Sequence, residues 1–157
     1  MPNARLVALG SRKQQSANAF GHRFSIPRSY GSYAALLEDP EVEVVYVCTP
    51  RSEHYSNALD AIRAGESVLC EKPLTLNRAQ AVKLVDAARQ SGVFLMEAMW
   101  TRFLPHMTRI RQILQSETLG DIRLFIADHG HAFPHNPKHR IYAPALGGGA
   151  MLDLGIY

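Results

Sequence analysis

Short apolar runs alternate with amphipathic stretches from position 5 to 118. The first run, Arg5 to Leu9, is read as a strand ending at Gly10-Ser11-Arg12. Positions 14–24 follow as a helix with Ala17 and Phe20 inward, 27–33 as a loop, and 32–37 as a short helix closed by Asp39-Pro40. Val42 to Thr49 is nearly continuous and β-branched, the pattern of a strand covered by helices on both faces. Pro50 breaks it, Ser52 is placed to cap a helix carrying Tyr55, Leu59 and Ile62 at helical spacing, and Gly65 stops that helix. A buried strand is expected over 67–71, running into Lys72-Pro73. Asn77, with Gln80 three residues on, opens an amphipathic helix to Ser91 in a pattern close to a capping box. Val82, Val85 and Ala88 are its expected inward positions, and Gly92 its stop. A strand at 93–96 follows, then a helix striped by Phe103, Met107, Ile110 and Leu114 that ends near Gly120.

This alternation predicts an α/β fold with a parallel sheet built from right-handed crossovers. After 120 the pattern changes. A strand is expected over 122–128, a His/Pro/Asn-rich loop over 129–146, and a helix start at 150–157 behind Gly147-Gly148-Gly149. The expected division is a domain at 1–118 and the beginning of a second at 119–157.

Composition narrows the function classes. Of the 157 residues 46% are hydrophobic and 20% charged, enough apolar content for one globular core and against disorder. The net charge of +3 comes from scattered residues rather than a Lys/Arg run, so nucleic acid is not an expected partner. No apolar run is long enough for a bilayer, and the start lacks the charged-then-apolar order of a signal peptide. Cys48 and Cys70 each sit inside an apolar run and read as buried free thiols, in keeping with a cytoplasmic protein.

Candidate chemistry collects at the expected strand ends, where ligands of open α/β sheets bind. Ser11-Arg12 follows the first strand, where an Arg can meet the 2′-phosphate of NADP, though a solvated Arg at a helix start has the same sequence. Thr49-Pro50-Arg51-Ser52-Glu53-His54 follows the strongest strand, Glu71-Lys72 the strand at 67–71, and Trp100-Thr101-Arg102 the strand at 93–96. On spacing alone, His54 fits a half-buried helix residue and Trp100 simple packing. Asp153 and Tyr157 are four apart and share one face of a helix. A Tyr beside a Lys suits proton transfer at a hydroxyl during hydride transfer. His129, His131, His135 and His139 match no metal-binding spacing, and no metal is expected.

Three motifs then stand in order: Thr49-Pro50 with His54; Ala64-Gly65 leading into Val68-Leu69-Cys70-Glu71-Lys72-Pro73; and Gly147-Gly148-Gly149-Ala150-Met151-Leu152-Asp153-Leu154-Gly155-Ile156-Tyr157. With the elements between them, the chain resembles the Gfo/Idh/MocA family of NAD(P)-dependent oxidoreductases. Trp100-Thr101-Arg102-Phe103 and the terminal Tyr157 resemble the subgroup of dihydrodiol and NADP-dependent xylose dehydrogenases, although glucose–fructose oxidoreductase shares the Tyr. The resemblance implies Tyr157 as general acid/base and Lys72 as the cation that orients substrate and favours the phenolate. It implies Asp153 at a substrate hydroxyl, and Ser11 and Arg12 at the 2′-phosphate of NADP, with NAD less favoured. Thr49, Pro50, His54 and Glu71 would line the nicotinamide side, and Trp100 and Arg102 the substrate or cofactor pocket. A sugar or polyol substrate and a dimer are implied in the same way.

In that family a strand and a G-x-G-x-x-G loop that cradles pyrophosphate precede the segment that starts here at Arg5. Here Met1-Pro2-Asn3-Ala4 leads directly into what resembles the family's second strand, and the family's C-terminal domain runs on beyond Tyr157. The expectation is a partial Rossmann-type parallel sheet, lacking its first strand and Gly-rich loop, followed by the start of an α+β domain. Unpaired strand edges are expected beside the gap, and NADP binding and activity by this chain alone are expected to be weak or nil.

Overall fold

The computed structural model describes residues 4–157; the expected lead-in at Met1 to Asn3 lies outside the described residues. The fold is α/β with parallel pairing throughout. Strand β1 (Ala8–Gly10) pairs with β2 (Arg28–Tyr30), and β3 (Val44–Val47), β4 (Ser67–Cys70) and β5 (Leu95–Glu97) form a second sheet in that order. The register places Val45 beside Val68 and Val68 beside Leu95. Among the described residues β1 and β3 each have a single strand neighbour, so the parallel array is in two pieces.

Helix α1 (Gln14–Phe24) ends with Ser25 in the left-handed region. α2 (Tyr33–Leu37) is capped by the Ser32 side chain, which accepts from Ala35 N at 3.1 Å. α3 (His54–Arg63) and α4 (Arg78–Ser91) pack together over the three-stranded sheet. Asn77 caps α4 by accepting from Gln80 N, and the Gln80 side chain accepts from Leu76 N, a near capping box displaced by one residue. The core is Val47, Ala58, Ala61, Ile62, Val68, Cys70, Leu84 and Ala88. α5 (Pro105–Gln115) and α6 (Ala150–Asp153) complete the helices. No helix among the described residues is long and apolar enough to cross a membrane.

Several expectations are corrected. Positions 28–30, expected as loop, form β2: Arg28-Ser29-Tyr30 has little apolar content, and pairing to β1 supplies what local pattern does not. Phe20 is exposed, because α1 turns the small Ala17 and Gly21 inward where it meets β2. β3 is covered on one face only, and Val44 and Tyr46 are exposed on the other. Ser52 does not cap α3; a 3₁₀ turn at Arg51–Glu53 carries the chain into it. Of α4 the core takes in Ala88, as expected, and Leu84 rather than Val82. Phe103 lies in a 3₁₀ turn (Trp100–Phe103) before α5 and is exposed, and the Ile110–Leu114 stripe is uncovered. Residues 122–128 form no strand: a strand needs a hydrogen-bonding neighbour, and among the described residues none pairs with them. Leu124, Phe125 and Ile126 are exposed. The 150–157 helix stops at Asp153. Cys48 is exposed and Cys70 buried; burial, with Glu97 and Glu71 nearby, pushes the Cys70 thiol up to about 12.

Candidate active site

A cavity of about 560 Å³ opens at the carboxyl ends of β3 and β4. Its walls come from three parts of the chain. Thr49, Pro50 and Arg51 follow β3, Glu71 and Lys72 follow β4, and Asp153 and Tyr157 come from the segment behind the Gly-rich turn, with Arg140 also on the wall.

The β4 end is fixed by a set of short-range contacts. Glu71 N donates to Val47 O at 2.8 Å, and the Lys72–Pro73 bond is cis. Leu74 N donates to the Glu97 side chain at 2.8 Å. The Glu71 carboxylate accepts from Tyr46 Oη, a bond that, with burial, raises the Tyr46 phenol above its ordinary range. The Lys72 side chain is 13% exposed.

His54 sits behind the wall rather than on it, 1% exposed. Its Nδ1 is 2.7 Å from Pro73 O and its Nε2 2.9 Å from Thr49 O. Carbonyls only accept and a neutral ring carries one N–H, so the ring donates to one of the two and lies close against the other. The imidazole thus ties the turn after β3 to the turn that carries Lys72. Asn57 Nδ2 donates to Thr49 Oγ1 at 2.9 Å and steadies the same corner.

Asp153 is the electrostatic hub. Arg51 Nη2 donates to its Oδ1, Lys72 Nζ lies 3.5 Å from the same oxygen, and Lys72 Nζ donates to the Asp153 carbonyl. Arg51 is only 6% exposed and Asp153 14%, so both charges are compensated inside the wall. Arg51 Nη1 also donates to Gly147 O at 3.0 Å. Gly147 has φ +76, and a Cβ there would lie 2.7 Å from Leu76 and 3.0 Å from Arg51, so only glycine lets the segment approach.

Lys72 Nζ is 4.4 Å from the centroid of the Tyr157 ring. Trp100 Nε1 donates to Tyr157 Oη at 3.2 Å, and its ring meets Tyr157 edge-on. An indole N–H can only donate, so it supports negative charge on the phenol oxygen. The His129 ring also lies beside Tyr157, with centroids 5.5 Å apart.

Of the residues singled out from sequence, Lys72, Asp153, Tyr157, Thr49, Pro50 and Glu71 come together on the cavity wall. Trp100 joins through Tyr157. Arg102 is exposed, and its carbonyl accepts from Arg111. Ser11 and Arg12 follow β1 at its carboxyl end, away from the cavity wall. Sequence reasoning gave Arg51 no role; nothing local separates a buried Arg from a solvated one at a helix start. Among the described residues no group of three or more His, Cys, Asp or Glu is arranged to hold a metal ion.

Comparison with known proteins bears on what this wall is. The model "Oxidoreductase family, NAD-binding Rossmann fold" matches residues 1–99, and "GFO/IDH/MocA C-terminal domain" matches residues 107–157. Trans-1,2-dihydrobenzene-1,2-diol dehydrogenase of Mus musculus is 43% identical over 152 residues, covering 97% of this chain and 45% of the relative. D-xylose 1-dehydrogenase (NADP(+)) of Hypocrea jecorina is 44% identical over 138 residues, covering 83% of this chain and 35% of the relative. The crystal structure of aldose-aldose oxidoreductase from Caulobacter crescentus, complexed with glycerol, superposes with a TM-score of 0.86 at 34% identity, covering 98% of this chain and 47% of that one. The chain thus spans less than half the length of these relatives.

Proposed function

Because the chain belongs to the Gfo/Idh/MocA family of oxidoreductases, we propose that the protein carrying it oxidises a secondary carbinol, on a sugar or a cyclic trans-diol, by hydride transfer to NADP⁺. One observation carries this reading: Lys72, Asp153 and Tyr157 converge on one cavity at the carboxyl ends of parallel strands. The likeness to dihydrodiol and NADP(+)-dependent xylose dehydrogenases supports the substrate class and the choice of NADP.

The residues present suit a nicotinamide at this wall. Thr49, Pro50 and Glu71 would hold that end, and Ser11 and Arg12 the adenosine 2′-phosphate. NADP⁺, when bound, supplies the hydride acceptor. Tyr157 Oη takes the carbinol proton as the C–O bond becomes a carbonyl. To do so it must first be a phenolate, the form that the Lys72 ammonium and the Trp100 N–H favour; accepting the proton returns it to the neutral phenol. Asp153 keeps Lys72 on station and accepts from a substrate hydroxyl. On the family resemblance alone, the intact protein is taken as a cytoplasmic homodimer, with domains at 1–118 and from 119 onward.

The test is spectrophotometric. Purified intact protein is expected to reduce NADP⁺ with D-xylose or trans-1,2-dihydrobenzene-1,2-diol, and to prefer it to NAD⁺. No reduction with any carbinol in a panel of sugars and diols would remove the reading. The likeness to an aldose-aldose oxidoreductase carries a second reading, in which one sugar is oxidised and another reduced. Turnover of a sugar pair without net change in added NADP⁺ would favour it.

A further inference from the structure

The two cations that hold Asp153 both use one oxygen. Arg51 Nη2 and Lys72 Nζ converge on Oδ1. Among the described residues Oδ2 has no hydrogen-bond partner, yet it is not a buried unsatisfied atom, so solvent reaches it. Asp153 lies on the cavity wall. An ionised carboxylate held by one oxygen offers the other as a directed acceptor.

The guanidinium does more than neutralise. Its two terminal nitrogens take two points of the same segment, Gly147 O and Asp153 Oδ1. A planar fork fixes both points at once, which a single ammonium does not. It also sits deeper than Lys72, 6% exposed against 13%, so it works as an anchor within the wall rather than as a group that meets ligand.

We propose that Arg51 is a positioning residue that selects vicinal diols: by pinning Oδ1 of Asp153 and the Gly147 carbonyl, it aims Oδ2 at a second hydroxyl beside the carbinol that Tyr157 deprotonates. This rests on the dehydrogenase reading above and adds to it the requirement for a neighbouring hydroxyl. The first hydroxyl gives its proton to Tyr157 Oη. The second donates to Asp153 Oδ2 and is not consumed.

The experiment compares kcat/KM for trans-cyclohexane-1,2-diol and for cyclohexanol, with NADP⁺, in the intact protein and in Arg51→Met and Arg51→Lys. The wild type is expected to prefer the diol. Arg51→Met is expected to lower that preference about tenfold, chiefly through the diol's KM, because a charge-assisted hydrogen bond is lost from a mis-aimed carboxylate. Arg51→Lys keeps the charge but not the fork, and is expected to restore the preference only in part, so the test stands even if the Met variant folds poorly. A preference unchanged in both variants, or a wild type that does not favour the diol, would overturn the assignment. Equal losses for both alcohols would overturn it too, since they would mark a merely structural residue. If the wild type oxidises neither alcohol nor any sugar, the dehydrogenase reading falls first and this one with it.

Discussion

Lys72 Nζ lies 4.4 Å from the centre of the Tyr157 ring, and the same ammonium is tied to both the backbone and the carboxylate of Asp153. One cation thereby links a strand end to the segment behind the Gly-rich turn. If Tyr157 moves the proton and Lys72 stabilises the charge, Tyr157→Phe and Lys72→Ala should each lower kcat of the intact protein by roughly 10²- to 10⁴-fold. Steady-state rates with the circular dichroism spectrum unchanged would check this; near-normal turnover of either variant would remove the assigned role.

His54 makes a structural prediction that needs no cofactor. His54→Phe keeps the bulk but removes the ring N–H that faces the carbonyls of Thr49 and Pro73 behind the wall. The expected cost is roughly 2–4 kcal/mol of stability. Urea unfolding of the two proteins measures it, and His54→Gln, which reaches one carbonyl, should fall between them. A Phe variant as stable as the parent would show that the two contacts contribute nothing.

Gly147 tests the close approach of the C-terminal segment. Gly147→Ala combines a positive φ with a Cβ 2.7 Å from Leu76, whereas Gly130→Ala meets nothing within 4 Å. The first should cost roughly 1–3 kcal/mol and the second should stay within about 0.5 kcal/mol. Melting temperatures of the pair decide it, and an equal shift in both would contradict the packing described.

Asp39 sets an acid limit. The Glu41 backbone N–H, followed by Tyr30 and Arg28, holds its carboxyl below the usual carboxylate range despite burial, and Arg28 does the same for Glu41. A depressed carboxylate contributes stability that is fully present above its unfolded value, about 4, and lost as pH falls through the lower folded value. Melting temperature should therefore drop steeply on acidifying below about pH 4, and less steeply in Asp39→Asn. Parallel acid limbs in the two proteins would refute the assignment.

The sequence by itself determined the local elements. α1 spans Gln14–Phe24 as its pattern requires, and α4 runs from the Asn77 cap to the left-handed Gly92. Helix ends are governed by the side chains and φ values of a few adjacent residues, and those are written in order along the chain. The alternation of runs also sufficed for parallel strands and for a strand end as the place of Lys72; that Asp153 and Tyr157 belong beside it was implied only by the family resemblance.

Tertiary structure decided what depends on partners distant in the chain. β2 exists because β1 lies beside it, while 122–128, more apolar, stays irregular because none of the described residues pairs with it. Which face of a helix is buried follows from what packs there: Leu84 and not Val82, Gly21 and not Phe20. Arg51 is the sharpest case. Its residue type suits a solvated helix start, and only the approach of Gly147 and Asp153 removes it from water and gives it two acceptors. Burial and pairing of a charge are properties of contacts, and local sequence carries no record of them.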